Sequence, residues 1–257
     1  MKKIYLFLTA LLLTVAASEQ TTIKGDVNGD GTVDIADVTE VVNIILNPDS
    51  GDDDNTTVTP GTPTVTAGTA IDLGLSVKWA SYNVGATKPE EYGGYYAWGE
   101  TEEKSDYESY TYKYCNGSIT SMTKYCTYSS QGTVDGKTTL EPEDDVATVK
   151  WGGTWRMPTR AELDELRNSC TWTWTTLNGV NGHRVTGPNG NSIFLPFAGY
   201  RNGQEVRGRG SYGDYWSSSL FSDYSYYAYG LYFYSVYYDW INDFYRCYGL
   251  TVRPVCP

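Results

Sequence analysis

Oxygen-bearing side chains recur at fixed intervals along the segment 26–37. They occupy positions 1, 3, 5, 9 and 12 of this segment, as Asp26, Asn28, Asp30, Asp34 and Asp37. Gly31 stands at position 6, where a metal-binding loop turns sharply, and Thr32 at position 7 offers its backbone carbonyl. Because Ca²⁺ takes about six to eight oxygen ligands, we interpret the segment as a structural Ca²⁺ site rather than an acidic, glycine-rich turn.

The residues after this loop predict a helix. Apolar side chains recur at helical spacing, as Ile35, Val38, Val41, Val42 and Ile45. Loop and helix together, residues 24–46, form an EF-hand-like unit that resembles a dockerin repeat, which docks secreted proteins onto cohesin modules. The resemblance implies Ca²⁺ as cofactor and a cohesin-like module as partner. Two departures from the dockerin pattern weaken the expectation of a cohesin-like partner. The sequence has one repeat where dockerins usually carry two. Ile35 and Ala36 also replace the hydroxyl residues that are common at loop positions 10 and 11.

The N-terminus predicts export. Lys2 and Lys3 precede an apolar run over residues 4–17 that ends in small residues, so we interpret residues 1–18 as a secretory signal peptide. A membrane anchor is the alternative, but the run is short for a membrane span. We therefore expect a secreted or cell-surface protein with no membrane span in the mature chain. Residues 47–69 are rich in Asp, Thr, Pro and Gly without a hydrophobic period, which predicts a disordered linker.

Charge and composition exclude several kinds of site. The net charge is -12, which argues against a nucleic-acid partner because such partners require a basic face. A single histidine excludes a three-histidine zinc centre. Five cysteines in an exported chain leave at least one unpaired or paired between chains. Cys115 and Cys126 can staple a hairpin, while Cys170, Cys247 and Cys256 compete for a second bridge, and the sequence does not decide among these pairings.

Residues 70–257 predict one α+β domain with short antiparallel strands and few helices. Short apolar stretches between glycine-rich turns predict strands at residues 71–80, 95–99, 192–197, 230–236 and 250–255. One helix is well signalled. Thr159 is its predicted N-cap, Glu162 completes a capping box, and Leu163 and Leu166 face inward.

Six motifs in this domain resemble the major-paralogous-domain (FISUMP) proteins of secreted bacterial families. They are DLGLSVKWASYNVGA, YYAWGE, WGGTWRMPTRAELDEL, NGNSIFLPFAGYR, YGDYWSSS and GLTVRPV. The resemblance implies a C-type-lectin-like fold, which formylglycine-generating-enzyme-like domains share. We expect the tryptophans to pack the core rather than bind sugar, namely Trp79, Trp98, Trp151, Trp155 and Trp216.

The segment 215–248 is unusually rich in tyrosine. It holds 11 of the 24 tyrosines, accompanied by Ser, Asp and Gly, a composition typical of antibody-like binding loops. Alternation places Leu231 and Phe233 on one face of a strand and Tyr232 and Tyr234 on the other, so one face is core and the other a binding surface. An ordinary aromatic-rich strand pair is the alternative. The candidate ligand-binding residues are Phe221, Tyr224, Tyr226, Tyr227, Tyr229, Tyr232, Tyr234, Tyr237, Tyr238, Asp239, Asp243, Phe244, Tyr245 and Tyr248.

This segment also resembles the variable region of diversity-generating-retroelement target proteins. In those proteins, errors at template adenines turn Asn codons into Tyr, Ser, Asp, Phe and others, but never into Lys, Glu, Gln, Met or Trp. Residues 206–257 contain no Lys, Glu, Gln or Met, which fits that rule. Gly230 is among the further candidate variable positions. The expected scaffold positions are Trp216, Leu220, Leu231, Phe233, Trp240, Arg246, Gly249 and Arg253.

These patterns predict a secreted ligand-binding protein, not an enzyme, whose ligand is an extracellular protein or glycan. The chain has no clustered histidines, no Gly-x-Ser-x-Gly turn and no glycine-rich phosphate loop. Two alternatives stay open: a dockerin-bearing accessory component of an extracellular polysaccharide-degrading assembly, and a formylglycine-generating-type oxidase using Cys247 and Cys256. Asp144 and Asp145 are interpreted as a solvated acidic turn rather than a second calcium site.

Overall fold

A computed structural model describes residues 67–235 and 240–257, and of Trp240 only the backbone. The predictions for the signal peptide, the calcium loop with Asp26, Asn28, Asp30, Thr32, Asp34 and Asp37, its helix and nearly all of the linker lie outside these residues. Tyr237, Tyr238 and Asp239 lie outside them as well. The described residues belong to a single compact unit. Within these ranges, no helix is long and apolar enough to cross a membrane.

Short antiparallel strands dominate the described part of the chain. They are β1 (Ala70–Ile71), β2 (Lys78–Ala80), β3 (Thr171–Leu177), β4 (Val180–Thr186), β5 (Ser192–Pro196), β6 (Tyr200–Asn202), β7 (Glu205–Arg207), β8 (Tyr212–Leu220), β9 (Tyr227–Tyr234), β10 (Trp240–Tyr245) and β11 (Val255–Cys256). The helices are α1 (Val146–Trp151) and α2 (Arg160–Ser169), with 3₁₀ turns at Ser109–Thr111 and Pro142–Asp144. The strand orders are β1-β2-β11, β10-β9-β8, β3-β4-β5 and β6-β7. Strand-rich structure with few helices is confirmed.

Helix α2 begins where the sequence predicts, directly after Thr159. The Thr159 side chain accepts a hydrogen bond from the Glu162 backbone N–H, and the Glu162 side chain accepts one from the Thr159 N–H. This reciprocal pair satisfies two backbone donors that a helix start leaves open. Leu163 and Leu166 are buried. The capping box and the buried face of the helix are therefore confirmed.

The strand predictions succeed where pairing is continuous and fail where a turn interrupts it. Strands at 192–197 and 230–236 are confirmed as β5 and, over its described residues, β9. The predicted strand 71–80 is instead two short strands, because Gly74 takes φ 76° and its N–H donates to Asp72 Oδ1 at 2.7 Å. Residues 95–99 and most of 250–255 form no ladder. They are held by the isolated bridge between Tyr96 and Leu250.

The β10-β9-β8 sheet lies between two hydrophobic cores. One core contains Trp98, Trp216 and Ala228. The other contains Leu166, Leu231 and Phe233, so successive parts of β9 bury side chains on opposite faces. Such burial on both faces fixes the register of the strand, since a slip by one residue would exchange the two sets of side chains.

The predicted core tryptophans divide into two groups. Trp79, Trp98 and Trp216 are buried as expected, and the Trp98 and Trp216 indole N–H groups donate to the carbonyls of Ser217 and Tyr96. Trp151 and Trp155 are only half-buried, and their rings meet edge to face at 5.2 Å. Trp151 packs against the core that contains Trp98, as expected, whereas Trp155 belongs to neither core, so the prediction was wrong for Trp155 alone.

All five cysteines are free thiols. The disulfide between Cys115 and Cys126, one of the pairings that the sequence left open, is not formed. Each of these two buried thiols donates instead to a nearby carbonyl, Cys115 to Ser118 and Cys126 to Tyr128. These local contacts satisfy both sulfurs without a covalent link.

Candidate functional site

Strand β9 presents aromatic side chains on both faces of its sheet. Leu231 and Phe233 are buried, whereas Tyr232 and Tyr234 are half-buried, so the predicted alternation is confirmed. Tyr227 and Tyr229 share the face of Leu231 but lie beyond that core, and they are half-buried too. The exposed rings therefore form two patches, one at each end of the strand.

The first patch, called the Phe221 patch, gathers rings from the β8–β9 turn and the ends of β9 and β10. Its members are Phe221, Tyr224, Tyr226, Tyr227, Tyr229 and Tyr245. Tyr227 and Tyr245 are direct partners across the ladder, with ring centroids 4.5 Å apart. Arg160 covers the Tyr229 ring at 4.3 Å and donates to its hydroxyl at 3.0 Å. Such stacking immobilises the rings before any ligand binds, which lowers the entropic cost of binding.

The second patch, called the Tyr232 patch, consists of Tyr200, Tyr212, Tyr232, Tyr234 and Tyr248. Tyr212 pairs with Tyr234 across the β8–β9 ladder, and its ring lies 5.7 Å from that of Tyr232. Tyr200 joins Tyr248 at 5.4 Å. The two patches meet where the rings of Tyr245 and Tyr248 approach to 5.4 Å. We call the combined set the tyrosine surface.

The tyrosine surface contains residues that the sequence analysis missed. Tyr212 lies on the same face of β8 as Asp214 and Trp216, and because both of these are buried, alternation alone would place Tyr212 in the core. Tyr200 and Arg160 come from β6 and α2, and no local pattern links either to the tyrosine-rich segment.

Two predicted surface positions have mainly structural roles. The Phe244 ring packs edge to face on the buried Trp216 at 5.9 Å, so it supports the surface more than it displays a ring. Gly230 is buried, and a Cβ there would lie 2.8 Å from the Tyr215 carbonyl oxygen. A side chain at Gly230 would therefore push two strands apart, which argues against Gly230 as a variable position.

Two buried arginines hold the C-terminal segment in place, as expected of scaffold positions. Arg246 donates to the Ser225 carbonyl at 2.7 Å, to the Tyr112 hydroxyl at 2.9 Å and to two further carbonyls, and it lies 4.8 Å from the Trp98 ring. Arg253 donates to Asn83 at 2.7 Å and to the Phe194 carbonyl at 2.8 Å.

The acidic pair Asp144 and Asp145 is not a solvated turn, so that prediction was wrong. Both side chains are buried. Burial alone would raise the pKa of Asp144, but hydrogen bonds from Lys124, Tyr114 and Tyr125 outweigh it and lower the pKa to about 2. Asp145 caps α1 by accepting from the Thr148 N–H at 3.0 Å. Both carboxylates thus serve the fold. No group of three metal-ligating side chains occurs within residues 67–235 and 240–257.

Asp214 lies beneath the Tyr232 patch. It faces Tyr232 across the ladder and is 1% exposed, and its Oδ2 has no hydrogen-bond partner among the described residues. Burial raises the pKa of this carboxyl to about 8. The tyrosines on either side, Tyr212 and Tyr232, supply no positive charge, so the protonated form is favoured in the fold.

We expect Asp214→Asn to stabilise the protein at neutral pH. A folded pKa above the ordinary value of 3.8 means that the stability contributed by Asp214 is complete below that value and is lost as pH rises towards 8. At about 1.4 kcal/mol per pKa unit, partial relaxation leaves an expected gain of about 1–3 kcal/mol at pH 7. Urea unfolding at pH 4 and pH 7 measures it. The gain should vanish at pH 4, and the exposed control Asp223→Asn should show none; an equal gain at both pH values would contradict this explanation.

Comparison with known families gives one finding. Residues 24–73 match the family model of the dockerin type I domain. No curated protein and no solved structure matches the chain. The match includes the whole predicted loop and helix, so it supports the dockerin resemblance and, with it, calcium binding. It favours the dockerin-bearing component over the other functions inferred from the sequence. The resemblances to FISUMP proteins, to the C-type-lectin-like fold and to retroelement targets stay predictions.

Proposed function

We propose that this chain is a dockerin-bearing component of an extracellular assembly. The observation that carries the proposal is the dockerin type I match over residues 24–73, which coincides with the loop of five oxygen ligands. In this proposal, Ca²⁺ is held by Asp26, Asn28, Asp30, Asp34, Asp37 and the Thr32 carbonyl. Bound Ca²⁺ would supply the fixed charge around which the loop closes, and the ordered helix would then offer its face to a cohesin module.

We further propose that the domain of residues 70–257 is the part that recognises a ligand. The tyrosine surface supports this proposal. Its amphipathic rings are packed against one another, and they are carried by a sheet that has core residues on both faces. Tyrosine gives a large contact area at low entropic cost, and its hydroxyl adds hydrogen bonds. A protein surface or a glycan would both suit such rings. Diversification by a retroelement is a finer proposal, tested by searching the neighbouring DNA for a near-identical repeat that differs at adenines.

Recognition suits this domain better than the oxidase alternative. Cys247, which that chemistry would need as a reactive thiolate, is 7% exposed. Burial and the nearby negative charge of Glu108 raise its pKa to about 12, so the thiol stays protonated. We therefore propose that the chain binds rather than catalyses.

Ligand binding is tested on the full chain with an array of polysaccharides and glycoproteins. We expect the double variant Tyr232→Ser, Tyr234→Ser to lose at least about tenfold in affinity for any captured ligand, because central aromatic residues carry most binding energy in such surfaces. Serine keeps the strand face polar, and a thermal melt checks folding. The control is Tyr110→Ser, whose side chain is 65% exposed outside the tyrosine surface. Equal binding by wild type and the double variant would contradict a role for this surface.

A further inference from the structure

A cavity of about 250 Å³ opens where the Phe221 and Tyr232 patches meet. Tyr245 and Tyr248 form its aromatic wall, and Ile119 adds an apolar side. The remaining lining consists of Cys247 and, from outside the tyrosine-rich segment, residues 108–109 and 202. The volume is below the range typical of drug-sized ligands, about 300–1,000 Å³, so the cavity suits one ring rather than an extended chain.

The polar groups of this cavity are available to a ligand. Glu108, Ser109 and Asn202 line it, and none of their side chains makes a hydrogen bond or ion pair within the part of the chain that the structure describes. Together they offer the two acceptor oxygens of one carboxylate, a hydroxyl, and an amide that both donates and accepts. Few but convergent polar groups on an apolar lining are the usual pattern of a small-molecule site.

The backbone holds Glu108 against the strand that carries Asn202. The Tyr107 N–H donates to the Gly203 carbonyl at 2.9 Å, and a Cβ at Gly203 would lie 3.2 Å from Glu108 Oε1. Gly203 also has φ 57°, which favours glycine. Because Gly203 has no side chain, the Glu108 carboxylate can lie beside the cavity without a steric clash.

The Cys247 thiol contributes a neutral part of the lining. Burial, and secondarily the Glu108 charge, raise its pKa to about 12. Glu108 and Cys247 both line the cavity. The only charge among the residues lining this cavity is thus the carboxylate, which would repel phosphate or carboxylate ligands.

We propose that this cavity binds one ring of a neutral sugar. The inference rests on the proposed ligand-binding function and specifies its ligand class. Sugar hydroxyls both donate and accept, which matches the mixed set of Glu108, Ser109 and Asn202, and the C–H face of a sugar ring packs on an aromatic wall such as Tyr245 and Tyr248. A primary ammonium needs acceptors only, so it would leave the Asn202 amide donors unused.

Saturation-transfer NMR on the full chain tests this inference, with methyl glycosides of glucose, galactose, mannose and xylose as probes. We expect transfer to at least one glycoside. Asn202→Ala and Glu108→Ala should each weaken that binding at least fivefold, whereas Glu143→Ala, a carboxylate 68% exposed outside the cavity, should leave it unchanged. Thermal melts check that the variants fold.

The outcomes separate this inference from the proposed function. Transfer to no glycoside, or binding that Asn202→Ala and Glu108→Ala leave intact, overturns the sugar cavity. Binding of Nα-acetyl-lysine methylamide, which keeps its side-chain ammonium, in place of the glycosides also overturns the sugar cavity and assigns it to ammonium groups. If Tyr232→Ser, Tyr234→Ser still abolishes capture on the array while the cavity variants do not, the tyrosine surface stands and the cavity alone falls.

Discussion

Replacing Arg246 with methionine should destabilise the domain by about 3–5 kcal/mol, because buried carbonyl acceptors lose their donor. The guanidinium is fully buried and donates to the carbonyls of Lys124, Tyr125 and Ser225 and to the Tyr112 hydroxyl. Methionine has a similar apolar stem but no donor, so three carbonyls would be left without these bonds in a dry interior. Urea unfolding at pH 7 measures the difference in the free energy of unfolding.

A matched control distinguishes the loss of a buried arginine from the loss of a surface arginine. Arg207 lies on the surface beside Glu205, and Arg207→Met should change the free energy of unfolding by less than about 0.5 kcal/mol. Arg246→Lys should also be strongly destabilising, because an ammonium cannot reproduce the planar fork of donors. A loss below about 1 kcal/mol for Arg246→Met would show that Arg246 is not the anchor of the tyrosine-rich segment.

Replacing Asp26 and Asp30 together with alanine should abolish calcium binding by the N-terminal unit. These carboxylates stand at loop positions 1 and 5, and their loss removes two of the negative charges that offset the dehydration of Ca²⁺. We expect the dissociation constant for Ca²⁺ to rise more than about a hundredfold. Isothermal titration calorimetry of the full chain with CaCl₂ measures it.

Two aspartates of the predicted linker provide a control that removes the same negative charge as Asp26→Ala, Asp30→Ala. Asp52 and Asp53 lie in an acidic run without the loop glycine or the ligand spacing, so their replacement with alanine should leave calcium binding unchanged. If this control loses calcium binding and Asp26→Ala, Asp30→Ala keeps it, the assignment of the metal to residues 26–37 is wrong.

The features predicted correctly from the sequence depend on short-range rules. The capping box of α2 needs only Thr159 and Glu162, and the division of β9 into Leu231 and Phe233 against Tyr232 and Tyr234 follows from the period of a strand. The resemblance to retroelement target proteins also named Arg246 and Arg253 as scaffold positions, and both are buried.

The features missed by the sequence depend on partners far along the chain. The local sequence predicts that Asp144 is a solvated surface residue. Its burial could not be predicted because its hydrogen-bond donors Tyr125 and Tyr114 lie 19 and 30 residues away in the sequence. Tyr200 joins the tyrosine surface because β6 bridges, from Arg201 to Gly249, to the segment that follows β10. The cavity lined by Glu108 and Asn202 is likewise formed by tertiary contacts, which no periodicity encodes.

The proposed attachment of this chain to a cohesin module depends on its predicted calcium loop at residues 26–37. The most direct test is a biosensor measurement of the full chain on an immobilised type I cohesin, first in CaCl₂ and then in excess EGTA. The proposal predicts saturable binding in calcium that is lost in EGTA and in Asp26→Ala, Asp30→Ala, and retained in Asp52→Ala, Asp53→Ala. Binding that is equal in CaCl₂ and EGTA, or absent across a panel of type I cohesins in calcium, would contradict it.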